Sequence, residues 1–266
     1  MEGEGYLKSN FSMKIICSAL ITILFLSFST PINADATGIR YQERLYQIYQ
    51  SGEMAQWVVV LNQMKSLYQS NPSNELLYDI TLTQYGYIGY LLGIKENKAA
   101  RKYLADAEEN VERLFERRPN DANVLALKGA LMAYHIALSP YKAPFIGPRS
   151  MSVINESIEL NPNAPQALLE KANSAHYAPS MFGGDPNLAV QFYSKAIAEF
   201  VKKNGGDAPR NWIYLNAYAQ MALAFEKAKQ LQNAKRTYLH ILTIAPDFKW
   251  VRDELYPKFQ INYPHK

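Results

Sequence analysis

The sequence predicts an all-α protein made of antiparallel helix pairs stacked side by side. Three observations carry this. Apolar residues recur at three- and four-residue steps, prolines fall singly between the periodic stretches, and the prolines return at a nearly constant interval. Asn71-Pro72, Arg118-Pro119, Asn161-Pro162, Pro209 and Ala245-Pro246 are separated by 47, 43, 47 and 37 residues. Each interval holds two helical patterns. With 48% hydrophobic and 20% charged residues in 266, the chain has the composition of a folded protein, and a globular or repeat core is expected.

The N-terminus reads as an export signal. From Met13 a lysine, Lys14, precedes an apolar run of fourteen residues from Ile15 to Phe28, followed by Pro31 and the small residues Ala34 and Ala36. This is the order of a cleavable secretory signal peptide, and the run is shorter than the roughly 20 residues that span a bilayer. The expected division is residues 1–36 as upstream residues and signal, and 37–266 as the repeat domain, with a periplasmic or secreted location and no membrane span after cleavage. Cys17, the one cysteine, lies inside the apolar run, with Ile16 before it in place of the small residue a lipoprotein signal needs. Cleavage leaves no disulfide, thiol nucleophile or cysteine metal site. It also removes Lys8 and Lys14 with Glu2, Glu4 and Asp35, moving the formal charge from +4 to +5. The basic residues are scattered, so no nucleic-acid footprint is predicted.

The first pair, Ile39 to Pro72, has Trp57, Val60, Leu61, Met64, Leu67 and Tyr68 on one face of its second helix. The run Trp57 to Leu61 has strand propensity, but no partner strand with turn signals follows, so the helical frame is preferred. The second pair carries Leu82, Tyr85, Gly86 and Gly89, then a long helix from about Lys98 to Arg118. The third has Leu125, Gly129 and Met132, a Pro-rich insertion from Ser139 to Ser150, and Val153, Ile154, Ile158 and Leu160. The fourth has Leu168, Leu169 and Ala172, then Ala189, Tyr193 and Ala196.

The fifth interval is the most regular. Tyr218, Met221, Ala222, Phe225, Ala234, Tyr238, Ile241 and Pro246 stand in the order and spacing of the tetratricopeptide-repeat (TPR) signature, with Ala222 for the usual Gly and Ile241 for the usual Ala. The chain therefore resembles exported bacterial TPR proteins. The resemblance implies a right-handed superhelical stack of antiparallel helix pairs, a TPR-like α-solenoid of about five degenerate repeats and nine to ten helices. Small residues let paired helices approach and rings fill the gaps between them.

Asp185-Pro186 and Asp207-Ala208-Pro209 offer acidic caps with proline near the first turn. Each follows a glycine pair, Gly183-Gly184 and Gly205-Gly206, suited to ending a helix. No strand precedes either pair, so neither is a phosphate loop.

Chemistry-bearing patterns are sparse. His135, His176, His240 and His265 form no ligand pair, no Gly-x-Ser-x-Gly elbow occurs, and Asp106, Glu108 and Glu109 read as a solvated helix face. No catalytic, cofactor or metal site is nominated, and the chain is expected not to be an enzyme.

The resemblance instead implies a concave binding surface lined by the first helix of each pair. The residues it assigns there are Gln166, Leu169, Asn173, His176 and Tyr177, then Asn216, Ala219, Leu223 and Glu226, with the amides of Asn173 and Asn216 serving a peptide backbone. Lysine and arginine are absent from these places, which argues against a carboxylate clamp. The insertions at 139–150 and 175–186 bring Tyr141, Phe145, Tyr177, Met181 and Phe182, either as exposed anchors or as plugs over helix ends. The function expected is a non-catalytic protein-interaction scaffold of the cell envelope. The alternative is an accessory subunit of a solute transport system that binds a small molecule or a substrate-binding protein.

Overall fold

The computed structural model describes residues 34–264. Residues 1–33 of the expected signal segment, with Cys17, and His265 lie outside the described residues, while its last three, 34–36, belong to the first helix. Among those described there is no strand. Eleven α-helices follow one another: α1 (Ala34–Ser51), α2 (Met54–Ser70), α3 (Asn74–Gly93), α4 (Asn97–Arg117), α5 (Ala122–Leu138), α6 (Ala143–Leu160), α7 (Pro165–Tyr177), α8 (Pro186–Lys203), α9 (Trp212–Lys227), α10 (Leu231–Ile244) and α11 (Tyr256–Asn262). A π-helical turn, Trp250–Leu255, leads into α11. The ten helices α1 to α10 form five consecutive pairs, each packed against its own partner and the next pair. This is a TPR-like α-solenoid, with α11 covering its last face.

The α9–α10 pair shows why the signature folds this way. Ala222, Ala234, Tyr238 and Ile241 are fully buried, and Phe225 packs against the same core. The Tyr238 ring continues onto Phe259 of α11 at 5.6 Å. Closest approach occurs in the third pair. A Cβ built on Gly129 of α5 would stand 2.7 Å from Ile154 Cγ1 and 3.2 Å from the Ser150 carbonyl of α6, and the Ser150 hydroxyl donates to the Gly129 carbonyl at 2.7 Å. The residues Trp57 to Leu61 lie within α2, where Trp57 is sealed and donates its indole N–H to the Thr83 carbonyl.

Three expectations need correction. The Pro-rich segment 139–150 is not an extended loop: after a short 3-10 turn, Pro140–Lys142, α6 already begins at Ala143 and contains Pro148. Pro144 sits in the first turn, where a missing N–H costs little, and Pro148 falls only one turn later. Asp207 does not cap α9; Asn211 does, accepting from the Ile213 N–H at 3.0 Å. Asp185 does cap α8, accepting from Asn187 and Leu188. The helix count is eleven instead of nine or ten, because the C-terminal segment after Pro246 folds back as α11.

Four of the five turns inside pairs contain a left-handed residue, the α5–α6 turn being the exception. Gly52 and Gly183 supply it in two of them, but Lys95 (φ 65°) and Lys229 (φ 62°) supply it in two others. An L-residue is strained there, whereas glycine is not. Lys95→Gly and Lys229→Gly are each expected to raise stability by about 0.5–1 kcal/mol, read as a higher urea midpoint at unchanged slope.

Candidate functional site

The first helices of the pairs, α1, α3, α5, α7 and α9, line the inner side of the solenoid. Their ends meet. Arg210, just before α9, forms an ion pair with Glu43 of α1 at 2.7 Å, and Asn216 of α9 donates its amide to the Tyr49 hydroxyl of α1 at 2.8 Å. The Trp212 ring lies edge-on to Trp57 at 5.2 Å and to Tyr49 at 5.9 Å. It also fills the space over Gly86 of α3, where a Cβ would stand 2.6 Å from its Cη2. The open concave face expected of the repeats is thus largely filled by the chain's own rings.

Burial corrects the exposure expected of several inward residues. Gln166, Leu169, His176 and Ala219 are buried, and Asn173, Asn216, Leu223 and Glu226 are half-buried. Of the inward positions named from the sequence, Tyr177 alone is open, at 63% exposure. The polar ones are paired internally because a buried amide or carboxyl left without a partner is costly. Gln166 donates its amide to Glu170 at 2.6 Å. Asn173 donates to the other Glu170 oxygen at 3.0 Å and to the Tyr85 hydroxyl at 3.2 Å. Its carbonyl accepts from the Tyr193 hydroxyl at 2.7 Å. Glu226 accepts the Tyr238 hydroxyl. Behind them Tyr134 stacks on Tyr85 at 5.2 Å and donates to the Tyr85 carbonyl.

Glu170, at 3% exposure, is the centre of this network. Burial pushes its carboxyl up to about 7, against the lowering effect of the hydrogen bonds from Asn173, Tyr85 and Gln166. Burial, aided by the charge of Lys227, moves His176 down to about 4, so its ring is neutral at neutral pH; its Nδ1 makes no hydrogen bond. Burial also lifts Asp79 of α3 to about 6, with a hydrogen bond from Gln42 opposing. Burial raises the Tyr85, Tyr134 and Tyr193 hydroxyls well above the ordinary phenol range. At neutral pH the Glu170 carboxyl is therefore near its midpoint, while Asp79 is mostly ionised. The open part of the inner side is the strip where Tyr177 donates its hydroxyl to the Gln220 carbonyl oxygen at 2.6 Å.

The insertion residues lie elsewhere. Tyr141 (76% exposed), Phe145 (77%) and Met181 (82%) project into solvent, with Phe182 exposed beside them. They are exposed anchors and not plugs. The loop that carries Met181 and Phe182 is held rigidly: the Asp185 N–H donates to the Ala175 carbonyl at 2.9 Å, and a Cβ on Gly184 would stand 1.9 Å from the Ala178 carbonyl oxygen. Gly184→Ala must therefore rebuild the loop. It is expected to cost about 2–3 kcal/mol, read as a lower melting temperature, with new protease cleavage inside 178–185.

Sequence reasoning passed over Glu170, Tyr85, Tyr134 and Trp212. The one available signal was the spacing of Gln166 and Glu170, four residues apart on one helix face. No group of three metal-capable side chains occurs among the described residues, and none of their helices is long and apolar enough to cross a membrane.

No sequence-family profile matches the chain, and no curated protein matches it. Solved structures do. The HusA haemophore from Porphyromonas gingivalis is similar over 73% of this chain and 93% of its own, at 17% identity and a TM-score of 0.58. TTC0263, a thermophilic TPR protein of Thermus thermophilus, is similar over 85% of this chain and 99% of its own, at 17% identity and a TM-score of 0.56. At such identity the likeness concerns the fold, and in that respect it agrees with the helix pairing, the ring-and-alanine seams and the repeat interval: this chain has the tetratricopeptide-repeat fold.

Proposed function

We propose that the chain is an exported, non-catalytic binding scaffold that holds a segment of a protein partner against the inner strip around Tyr177. The supporting observation is the Tyr177 side chain itself, which is open to solvent while its hydroxyl is fixed on Gln220. A large ring held in one orientation loses little freedom on binding. Asn173 and Asn216 are likewise held by tyrosine hydroxyls, so the strip is preorganised. The TPR fold is a frame on which such binding is commonly built, and export follows from the signal-like N-terminus.

A second reading has a specific observation in its favour. The similar structure of HusA belongs to a protein described as a haemophore, and Tyr177 stands edge-on to His176 at 4.5 Å. The strip then takes a small planar solute, as an accessory subunit of a transport system does.

Both readings are separated by one set of variants. A photo-crosslinking side chain placed at Tyr177 is expected to trap a defined protein in intact cells, and the same group at exposed Glu156 is expected not to. Haem titration of purified protein reads the second possibility, with a visible-band shift that disappears in Tyr177→Ala. Equal trapping from Tyr177 and Glu156, together with no haem band, contradicts the assignment of this strip.

A further inference from the structure

Eleven large apolar side chains are exposed among the described residues, and seven of them, Tyr90, Ile94, Tyr141, Phe145, Tyr177, Met181 and Phe182, sit where a first helix turns into its partner. Antiparallel pairing puts all of those turns at one end of the solenoid. The opposite end, where one pair passes to the next, exposes Leu160 alone of the eleven.

Contacts link the turns into a continuous rim. Arg101 at the start of α4 donates to the Leu138 carbonyl at the end of α5. The space beside Gly183 is filled by the Met151 methyl of α6. Lys227 of α9 donates to the His176 carbonyl of α7, and Gln230 to the Asn187 side chain of α8.

Cations outnumber carboxylates on the rim, where Glu53, Glu96 and Asp185 also lie. Lys95, Lys98, Lys142, Arg149 and Lys229 lie on or beside the rim, and none forms an ion pair with another described residue. At the opposite end Arg118 pairs with Asp121 and Glu75 and Arg210 with Glu43, while Arg117 is held by Tyr68 and Asn74. The described non-glycine residues with positive φ are two, and both are lysines of the rim. Glycine fits those turns with less strain, so a lysine there is retained against the local backbone preference.

We propose that this rim docks on an anionic lipid surface, with its rings and Met181 entering the headgroup region and its lysines meeting lipid phosphates. Tyrosine, phenylalanine and methionine tips interleaved with lysine suit the boundary between acyl chains and headgroups. The tips project instead of forming a groove, and the two cavities at 118–123 with 160–161 and at 65–113 lie on other faces. A plane of mobile headgroups accepts such a surface without shape complementarity.

The test uses the full chain carrying Phe145→Trp and Trp250→Phe, with the native Trp57 and Trp212 buried. Emission is followed during titration with phosphatidylcholine vesicles, with or without phosphatidylglycerol, and with brominated lipid as quencher. A blue shift and quenching are expected with the anionic vesicles only, and both are expected to fade at high salt. Adding Lys95→Gly and Lys229→Gly is expected to weaken binding roughly fivefold per lysine. Because the same pair of changes is expected to stabilise the fold, lost binding cannot be assigned to unfolding. Phe182→Ser with Met181→Ser is expected to weaken it roughly tenfold.

Quenching of residue 145 that is unaffected by either pair of variants overturns the proposal, as does equal binding to neutral vesicles. Absence of quenching while a soluble acidic protein protects the rim from proteolysis also overturns it, in favour of a protein interface.

Discussion

Trp212→Ala is expected to destabilise the protein by about 3–5 kcal/mol, the range for emptying a large buried aromatic site. The indole joins three parts of the chain that are distant in sequence. It touches Trp57 and Tyr49 by ring edges and caps the bare backbone at Gly86. Its loss removes the apolar part of the α1–α9 closure and leaves only the exposed Arg210–Glu43 pair and the Asn216–Tyr49 hydrogen bond. Hydrogen exchange in α1 is therefore expected to accelerate more than in α5 or α7. A double-mutant cycle isolates the cause. In the wild type, Gly86→Ala drives a methyl against a rigid ring and is expected to cost about 1–3 kcal/mol. In the Trp212→Ala background the ring is gone and the methyl enters the space it left. There the same change is expected to be neutral or to stabilise by up to about 1 kcal/mol, the helix preference of alanine over glycine. Additive costs would show that Trp212 does not occupy the position over Gly86.

Glu170 and His176 are expected to give opposing pH dependences that single variants separate. Glu170 rises from 4.5 to about 7 on folding, so the folded protein holds that proton more tightly than the unfolded chain. Its contribution is complete below 4.5 and declines by about 3 kcal/mol as pH rises through 7. His176 falls from 6.5 to about 4, so its contribution is complete above 6.5 and declines by about 3 kcal/mol as pH falls through 4. Across pH 4.5–6.5 the two slopes offset each other and half-buried Asp79, raised to about 6, adds a slope with the sign of Glu170, so both variants are compared in an Asp79→Asn background. Glu170→Gln is expected to unmask the histidine, so that stability drops on acidification. His176→Phe is expected to unmask the carboxyl, so that stability grows on acidification. Urea unfolding at several pH values reads both. Parallel curves for the two variants would mean that these groups do not carry the shifts.

How much of this was legible depends on the reach of each interaction. The α9–α10 seam was readable because Ala222, Phe225, Ala234 and Tyr238 repeat at helical spacing within 17 residues. The Asp185 cap was readable because it acts on the next three residues. Asp207 misled because Asn211 offers the same chemistry four residues later, with Trp212 and Ile213 ready to be buried directly after it. The candidate site was read only in part. Tyr177 is open, but Gln166, Leu169, His176 and Ala219 are covered, because α1 packs against α9 across a separation of 167 residues. Tyr141, Phe145, Met181 and Phe182 stood out as insertion residues, and the expectation that apolar loops fold back on the core favoured plugs over anchors, whereas the structure exposes them. The outcome depends on which neighbouring helix leaves room beside them.

The sequence by itself determined the helical class, the pairing interval and the ring-and-alanine seams, since periodicity and punctuation are local properties that burial converts into packing. Tertiary structure alone decided that the inner face is closed by Trp212, that Glu170 is a sealed carboxyl, and that the lysines and apolar tips of separate turns share one rim. Each of these depends on where chain segments far apart in sequence come together, and desolvation and proximity exist only once they have.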